Sequence, residues 1–496
     1  MAIESFEVST SNEFGDLLNT KRGTERLKIG VYTSAYFEYF RMYPESLRTF
    51  VESDVQVVRN HLEKTFGDEV DFIHSPLVVT MDDADHTGRL FKEKGVDMVI
   101  FIMFTYSVDV ISLQFLRHVE GIPLMIFLRQ SHRDIDLTSD YEQTLRNSAM
   151  ISASQLTGAF KKMNAFKRYE VFIGADDEQR PYDEMYRYCK AYRTYKDLRE
   201  LNLGIIGHVF RGMFDHEFDR TRIYGMLGPQ VIDIQISHLL NEWESVTPGD
   251  VDQFIEDNRW IEEYTFVDVG EEDFEKECRF AIAYQRIIER FRLDAACYLG
   301  QHFVEQKTGC TGNLSNIFFA KQKQVMTNTE GDINGLIMMC LMNRLTGQTP
   351  LFGDWGEFGI RENAMQIMMH GYADLDHAKD SSYVKITGTP ENWGFTGAGF
   401  SAEFTAKPGV VTVGHFIDDA QRGWRMLICL AESLDTVQSI PCQDVTLLLR
   451  PKMPIETFIR EILEKGFDHH AIICYGDVTK ELGYIADFMQ IEKDLL

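Results

Sequence analysis

Four residues in the C-terminal half have the types and settings that chemistry requires: Glu330, Asp354, His370 and His470. Glu330 lies in Thr329-Glu330-Gly331-Asp332, just before an apolar helix-like run. Asp354 stands in Phe352-Gly353-Asp354-Trp355, an acid between large apolar groups. His370 ends the apolar run Met365 to Met369, and His470 closes Gly466-Phe467-Asp468-His469-His470 ahead of the strand-like Ala471 to Tyr475. Two carboxylates and two imidazoles make a mixed oxygen and nitrogen donor set. Such a set suits Mn²⁺, or another divalent ion such as Mg²⁺ or Co²⁺.

Each residue alone has a plainer explanation. A histidine on an apolar face is more often a core residue than a ligand. Glu330 could be an acid at a helix N-terminus, favoured by the dipole. Thr329 with Asp332 resembles a capping box with Asp in place of Glu. Adjacent histidines entering a strand place one ring inward and one outward.

The elements that must position these groups alternate in type. Leu27–Thr33, Asp97–Ile102, Pro123–Leu128 and Val171–Gly174 read as apolar strands, and residues 43–66 as a helix. Near-continuous apolar strands between helices predict a parallel sheet covered on both faces, with ligands outside the carboxyl ends of the strands. A second α/β unit begins near residue 175, with strands at Leu203–Gly207 and Ala295–Leu299 and a helix over 271–293. From about 381 to 450 the pattern turns to short antiparallel strands, followed by a helix over about 454–465. The expected fold is α/β: two Rossmann-like parallel-sheet domains (1–174 and 175–348) followed by a β-rich, antiparallel barrel-like domain (349–496).

Composition excludes several classes. A chain of 496 residues with 44% hydrophobic and 26% charged residues is globular in character. A net charge of −27 argues against a nucleic-acid partner. No run approaches the length of a membrane span, and the polar, acidic start lacks the marks of a secretion signal, so a cytoplasmic location is expected. The eight cysteines form no C-x-x-C pair and read as buried thiols. The glycine cluster 394–399 does not follow a strand and open a helix, so turns explain it better than a dinucleotide site. Asn313-Leu314-Ser315 matches a glycosylation sequon, which has no meaning without export.

Taken in order, these segments resemble the L-arabinose isomerase and L-fucose isomerase superfamily of metal-dependent aldose–ketose isomerases, over roughly residues 27–476. Thr329-Glu330-Gly331-Asp332 resembles the E-G-D carrying that family's first glutamate. Gly466 to His470 resembles G-x-H-H, whose second histidine binds metal. His370 falls where arabinose-type enzymes place another histidine. Arg129-Gln130-Ser131-His132-Arg133-Asp134-Ile135 resembles T-Q-F-N-R-D-I, whose glutamine touches sugar. Arg146-Asn147-Ser148-Ala149 resembles N-Q-S-A, but Met150 stands where a histidine would follow.

The second acid departs from the arabinose pattern M-E-D-Y, because Gly353 occupies the glutamate position. Asp354 is 24 residues from Glu330 (354 − 330), the Glu and Asp spacing of L-fucose isomerases. Glu357 is a weaker candidate for that acid.

The resemblance implies a free pentose or 6-deoxyhexose such as L-arabinose or L-fucose, isomerised through a cis-enediol. Glu330 and Asp354 would be catalytic, and Glu330, Asp354, His370 and His470 would hold Mn²⁺. Gln130, His132 and Trp355 would contact substrate. It also implies a homo-trimer or homo-hexamer, with Gln130 and His132 serving a neighbouring subunit. A non-catalytic sugar-binding relative, or an epimerase or aldolase on the same scaffold, remains open at this level.

Overall fold

Met98–Met103 is buried at every position, so neither face of that strand can meet water. The early chain accordingly folds as a covered parallel sheet. In the computed structural model, which describes residues 26–299, 301–369, 373–388, 399–436 and 444–496, the chain forms two compact units, Gly23–Arg193 and Thr194–Leu496.

In the first unit, strands β1 (Leu27–Ser34), β2 (Val70–Val78), β3 (Met98–Met103), β4 (Leu124–Gln130) and β5 (Tyr169–Ala175) lie in the order β2-β1-β3-β4-β5, all parallel. Strand β2 escapes a reading by apolar runs, because Val70-Asp71-Phe72-Ile73-His74-Ser75-Pro76 is mixed and contains proline. Its edge position tolerates both.

The second unit holds two sheets. Strands β6 (Asn202–Gly207), β7 (Gln230–Ile234), β9 (Ala295–Leu299) and β10 (Met326–Thr329) form a parallel sheet in the order β10-β9-β6-β7. The other sheet contains β8 (Thr265–Val267), β11 (Leu351–Gly359), β12 (Ala364–Met369), β13 (Lys385–Gly388), β14 (Phe400–Thr405), β15 (Gly409–Asp419), β16 (Gly423–Ser433), β17 (Val445–Pro451), β18 (His470–Tyr475) and β19 (Glu492–Leu495). Within it, β16-β15-β18-β11-β12-β17 pair in antiparallel succession, and β17 pairs back onto β16. This closed ring of six strands is the expected barrel-like element. It begins at Leu351, some thirty residues before the pattern change read from sequence.

Helix Ile333–Thr346 joins the two sheets. It follows β10 directly and packs on β15 and β18. Almost its whole circumference is buried, as an apolar run without one polar stripe requires. Its N-terminus therefore sits where the carboxyl end of a parallel strand meets the antiparallel ring. The seven described cysteines are buried, and none of them is in a disulfide. The helices read at 43–66, 271–293 and 454–465 run Ser46–Phe66, Glu271–Arg290 and Ile455–Lys465.

Candidate metal centre and active site

Glu330 follows the last residue of β10, at the carboxyl end of its sheet. Its backbone is left-handed, with φ +66°, and Gly331 follows at φ +86°. A side chain at Gly331 would bring Cβ to 2.4 Å from Val209 Cα, so only glycine fits. Holding a glutamate in this region costs about 1–3 kcal/mol, and such strain collects at functional sites. Phe210 N–H donates to the Glu330 carbonyl at 2.8 Å, tying the turn to the loop after β6.

Asp354 and His470 come together by strand register. They are direct partners across the antiparallel pair β11 and β18. His470 Nε2 lies 3.3 Å from Asp354 Oδ1 and 3.5 Å from Glu330 Oε2. The imidazole is fully buried, the Glu330 side chain is 10% exposed and that of Asp354 31%. The cluster thus has a closed side and an open side, and Asp354 stands at the open one.

Gly353 is not a vacated glutamate position. A Cβ there would lie 2.5 Å from the Met368 carbonyl oxygen on β12. Strand alternation also directs residue 353 away from the face that carries Asp354. The departure from M-E-D-Y is therefore built into the packing of β11 on β12, and Asp354 is the acid this strand presents. Glu357 is exposed, farther along β11.

Asp332 sets the chemistry of His470. Its Oδ2 accepts from His470 Nδ1 at 2.9 Å and from His415 Nε2 at 3.2 Å, while Oδ1 accepts from Gly335 N–H at 2.6 Å. Asp332 is thus the N-cap of helix Ile333–Thr346, not the third residue of a capping box begun by Thr329. With Nδ1 carrying the proton, His470 presents the Nε2 lone pair to the two carboxylates. A carboxylate that orients a histidine in this way is a common second layer of metal sites.

His415, on β15, is an imidazolium by geometry. Its Nδ1 lies 2.7 Å from the Phe416 carbonyl oxygen and its Nε2 faces Asp332, both acceptors, so both nitrogens carry hydrogens. Burial works against that charge, but Asp332 and then Asp468 raise its pKa to about 9. Burial likewise opposes ionisation of Asp332, yet His415 and His470 hold it well below the usual carboxylate range. Asp468 Oδ2 lies 3.6 Å from His415 Nδ1, and burial pushes this acid up to about 7. Asp332, His415 and Asp468 are close enough to surround an ion, but both nitrogens of His415 are already engaged.

A third layer comes from the loop after β6. The His216 ring stacks on His469 and on His470, with centroids 4.4 Å apart in each case. Burial lowers the His216 pKa to about 4, so it is neutral. Stacked rings direct their in-plane lone pairs alongside one another. His216 thus stands as a wall behind His470, and the nitrogens of His216, His469 and His470 lie within 4.8 Å of one another, near enough to surround an ion as a group.

Of the residues singled out from sequence, Glu330, Asp354 and His470 meet. His370 lies outside the described residues, as do positions 394–398 of the glycine cluster. Trp355 follows Asp354, but its ring packs edge-on against Phe458 and its indole N–H donates to the Asp468 carbonyl at 3.1 Å. It braces the segment that carries His470. Gln130 and His132 belong to the first unit, at the carboxyl end of β4. There Gln130 Nε2 donates to the Asn147 carbonyl at 3.3 Å, and both residues line a cavity of about 420 Å³ with Arg133, Gln143 and Asn147. Asp332, His415, Asp468 and His216 were not anticipated as parts of the site.

No family model matches the chain. The chain is similar to curated proteins named sulfoquinovose isomerase. The one from Alkalicoccus urumqiensis is 24% identical over 328 residues, covering 63% of this chain and 69% of that protein. Those from Priestia megaterium (22% identical; 68% and 75% covered) and Clostridium sp. strain MSTE9 (21% identical; 69% and 76% covered) are similarly distant. The chain is a distant relative of sugar isomerases.

Proposed function

We propose that this protein is an aldose–ketose isomerase using a divalent ion, Mn²⁺ or else Mg²⁺ or Co²⁺, held by Glu330, Asp354 and His470. The convergence of Glu330 Oε2 and Asp354 Oδ1 on His470 Nε2, within 3.5 Å, carries this reading. That donor set fits the ion on chemical grounds, since it offers two hard oxygens and one imidazole whose other nitrogen is fixed by Asp332. His370 is a proposed fourth ligand on the family resemblance alone. The ion, when bound, would supply Lewis acidity to a sugar carbonyl.

Isomerisation moves one proton between C1 and C2 and another between O1 and O2. Glu330 and Asp354 flank one point and can serve as base and acid for transfer through a cis-enediol. His470 keeps its geometry through the step because Asp332 holds Nδ1–H. Sugar would enter on the Asp354 side, the more exposed side of the cluster.

A free pentose or 6-deoxyhexose, such as L-arabinose or L-fucose, is the substrate class the family resemblance supports. The names of the curated relatives add sulfoquinovose. Gln130, His132 and Trp355 are proposed sugar contacts, and a homo-trimer or homo-hexamer is the proposed assembly. These three sugars, incubated with Mn²⁺ in D₂O, provide the test. Ketose formation with deuterium entering the product is the expected result. Isomerisation without deuterium would replace the enediol with a hydride shift, and no turnover of any of them would overturn the reading.

A further inference from the structure

His469 stands beside the proposed metal ligands without the buried partners that fix His470. Asp215 Oδ2 lies 2.5 Å from His469 Nδ1 and 3.4 Å from its backbone nitrogen. A carboxylate in that position makes Nδ1 the protonated nitrogen and turns Nε2 the other way. Nε2 then lies 3.6 Å from Glu330 Oε2, longer than a hydrogen bond. The His216 ring, 4.4 Å beneath and only 21° from parallel, fixes the tilt of the imidazole.

Exposure separates the roles within the cluster. The side chains of His470, Asp332 and His415 are 0% exposed, whereas those of Asp354, His469 and Asp215 are 31%, 35% and 39% exposed. The last three therefore frame the open side of the site. The His469 and His470 rings lie side by side, with centroids 4.3 Å apart, and His469 is the more exposed of the two.

We infer that His469, backed by Asp215, is a substrate contact whose Nε2 hydrogen-bonds a hydroxyl of the sugar beside Glu330. Asp215 acts through His469 as a positioning residue. The inference rests on the isomerase reading above. It adds a contact that the metal-binding motif does not require, drawn from a loop some 250 residues earlier in the chain.

The experiment uses the Mn²⁺-loaded full chain and whichever of L-arabinose, L-fucose and sulfoquinovose the wild type turns over. His469→Ala is expected to lower kcat/KM about 10–100-fold, the loss that follows when a bound hydroxyl is left without its hydrogen-bond partner. Mn²⁺ affinity, read by EPR titration, stays within about twofold, because the metal ligands are untouched. Asp215→Asn lowers kcat/KM less, and combining it with His469→Ala adds nothing further. His469→Gln, which retains a side-chain hydrogen-bonding group, recovers part of the loss and serves if His469→Ala fails to fold. An unchanged kcat/KM in both His469 variants overturns the inference, as does a parallel fall in Mn²⁺ affinity. A wild type that turns over none of the sugars overturns the isomerase reading and this inference with it. Wild-type turnover with unaffected variants overturns the inference alone.

Discussion

Asp332 Oδ2 accepts a hydrogen bond from His470 Nδ1 at 2.9 Å and, from the other side, one from the His415 imidazolium at 3.2 Å. One buried carboxylate thus orients a proposed metal ligand, neutralises a buried cation and caps a helix. Asp332→Asn removes the charge while nearly preserving shape. It should cost about 3–5 kcal/mol of stability, because His415 is left as an uncompensated buried charge. It should also lower Mn²⁺ affinity about 10–100-fold. Thermal unfolding and EPR titration of Mn²⁺ read the two effects separately.

The proposed proton-handling pair makes a different prediction. Glu330→Gln and Asp354→Asn each keep size and lose the base. Either should reduce kcat about 10²–10⁴-fold, the usual contribution of positioned acid–base groups. Stability should change little at Asp354, whose side chain is 31% exposed. Steady-state kinetics with saturating Mn²⁺ checks the first effect and a melting curve the second.

Gly353→Ala tests the packing explanation for the departure from the arabinose pattern. Its Cβ would press on the Met368 carbonyl oxygen at 2.5 Å and force β11 from β12. A destabilisation of about 1–3 kcal/mol is expected, as for other overpacked positions. Restoring a glutamate there should damage the fold rather than improve turnover. Chemical denaturation of both variants gives the answer.

What could be read from the sequence follows from what each residue does locally. Apolar runs such as Met98–Met103 declare themselves because both their faces are buried, and β2 does not because an edge strand can be polar. Glu330, Asp354 and His470 were legible as family-like motifs, and the register Asp354↔His470 then explains why motifs 116 residues apart (470 − 354) meet. In the sequence Asp332 shows itself as the last residue of the E-G-D motif and as a capping residue, but its contacts with His470 and His415 leave no trace in spacing. His415 sits in the apolar strand Val411-Thr412-Val413-Gly414-His415-Phe416, where a histidine looks like a core residue until Asp332 is seen opposite. His216 and Asp215 belong to an irregular loop whose relation to His469 exists only in three dimensions.

Glu277 allows a pH test away from the site. It is fully buried under the N-terminus of helix Asn313–Gln322 and accepts from the N–H groups of Thr311, Gly312 and Leu314 at 2.9–3.1 Å. Burial nevertheless pushes its pKa up to about 7, against an ordinary value of 4.5. A carboxyl whose folded value is raised favours folding most below its unfolded pKa. That contribution therefore declines as pH rises from about 4.5 through about 7. In Glu277→Gln this component of the stability–pH curve should vanish, while the fold loses about 1–3 kcal/mol from less satisfied backbone donors. Urea unfolding at a series of pH values checks both.

The central claim is that Glu330, Asp354 and His470 hold a divalent ion required for sugar isomerisation. Its most direct test is ketose formation from L-arabinose, L-fucose and sulfoquinovose before chelation, after exhaustive chelation and after Mn²⁺ is returned, in the wild type and in His470→Ala. The account predicts activity that disappears with the metal and returns with Mn²⁺ in the wild type only. Undiminished turnover by the metal-free protein, or full recovery in His470→Ala, would contradict it.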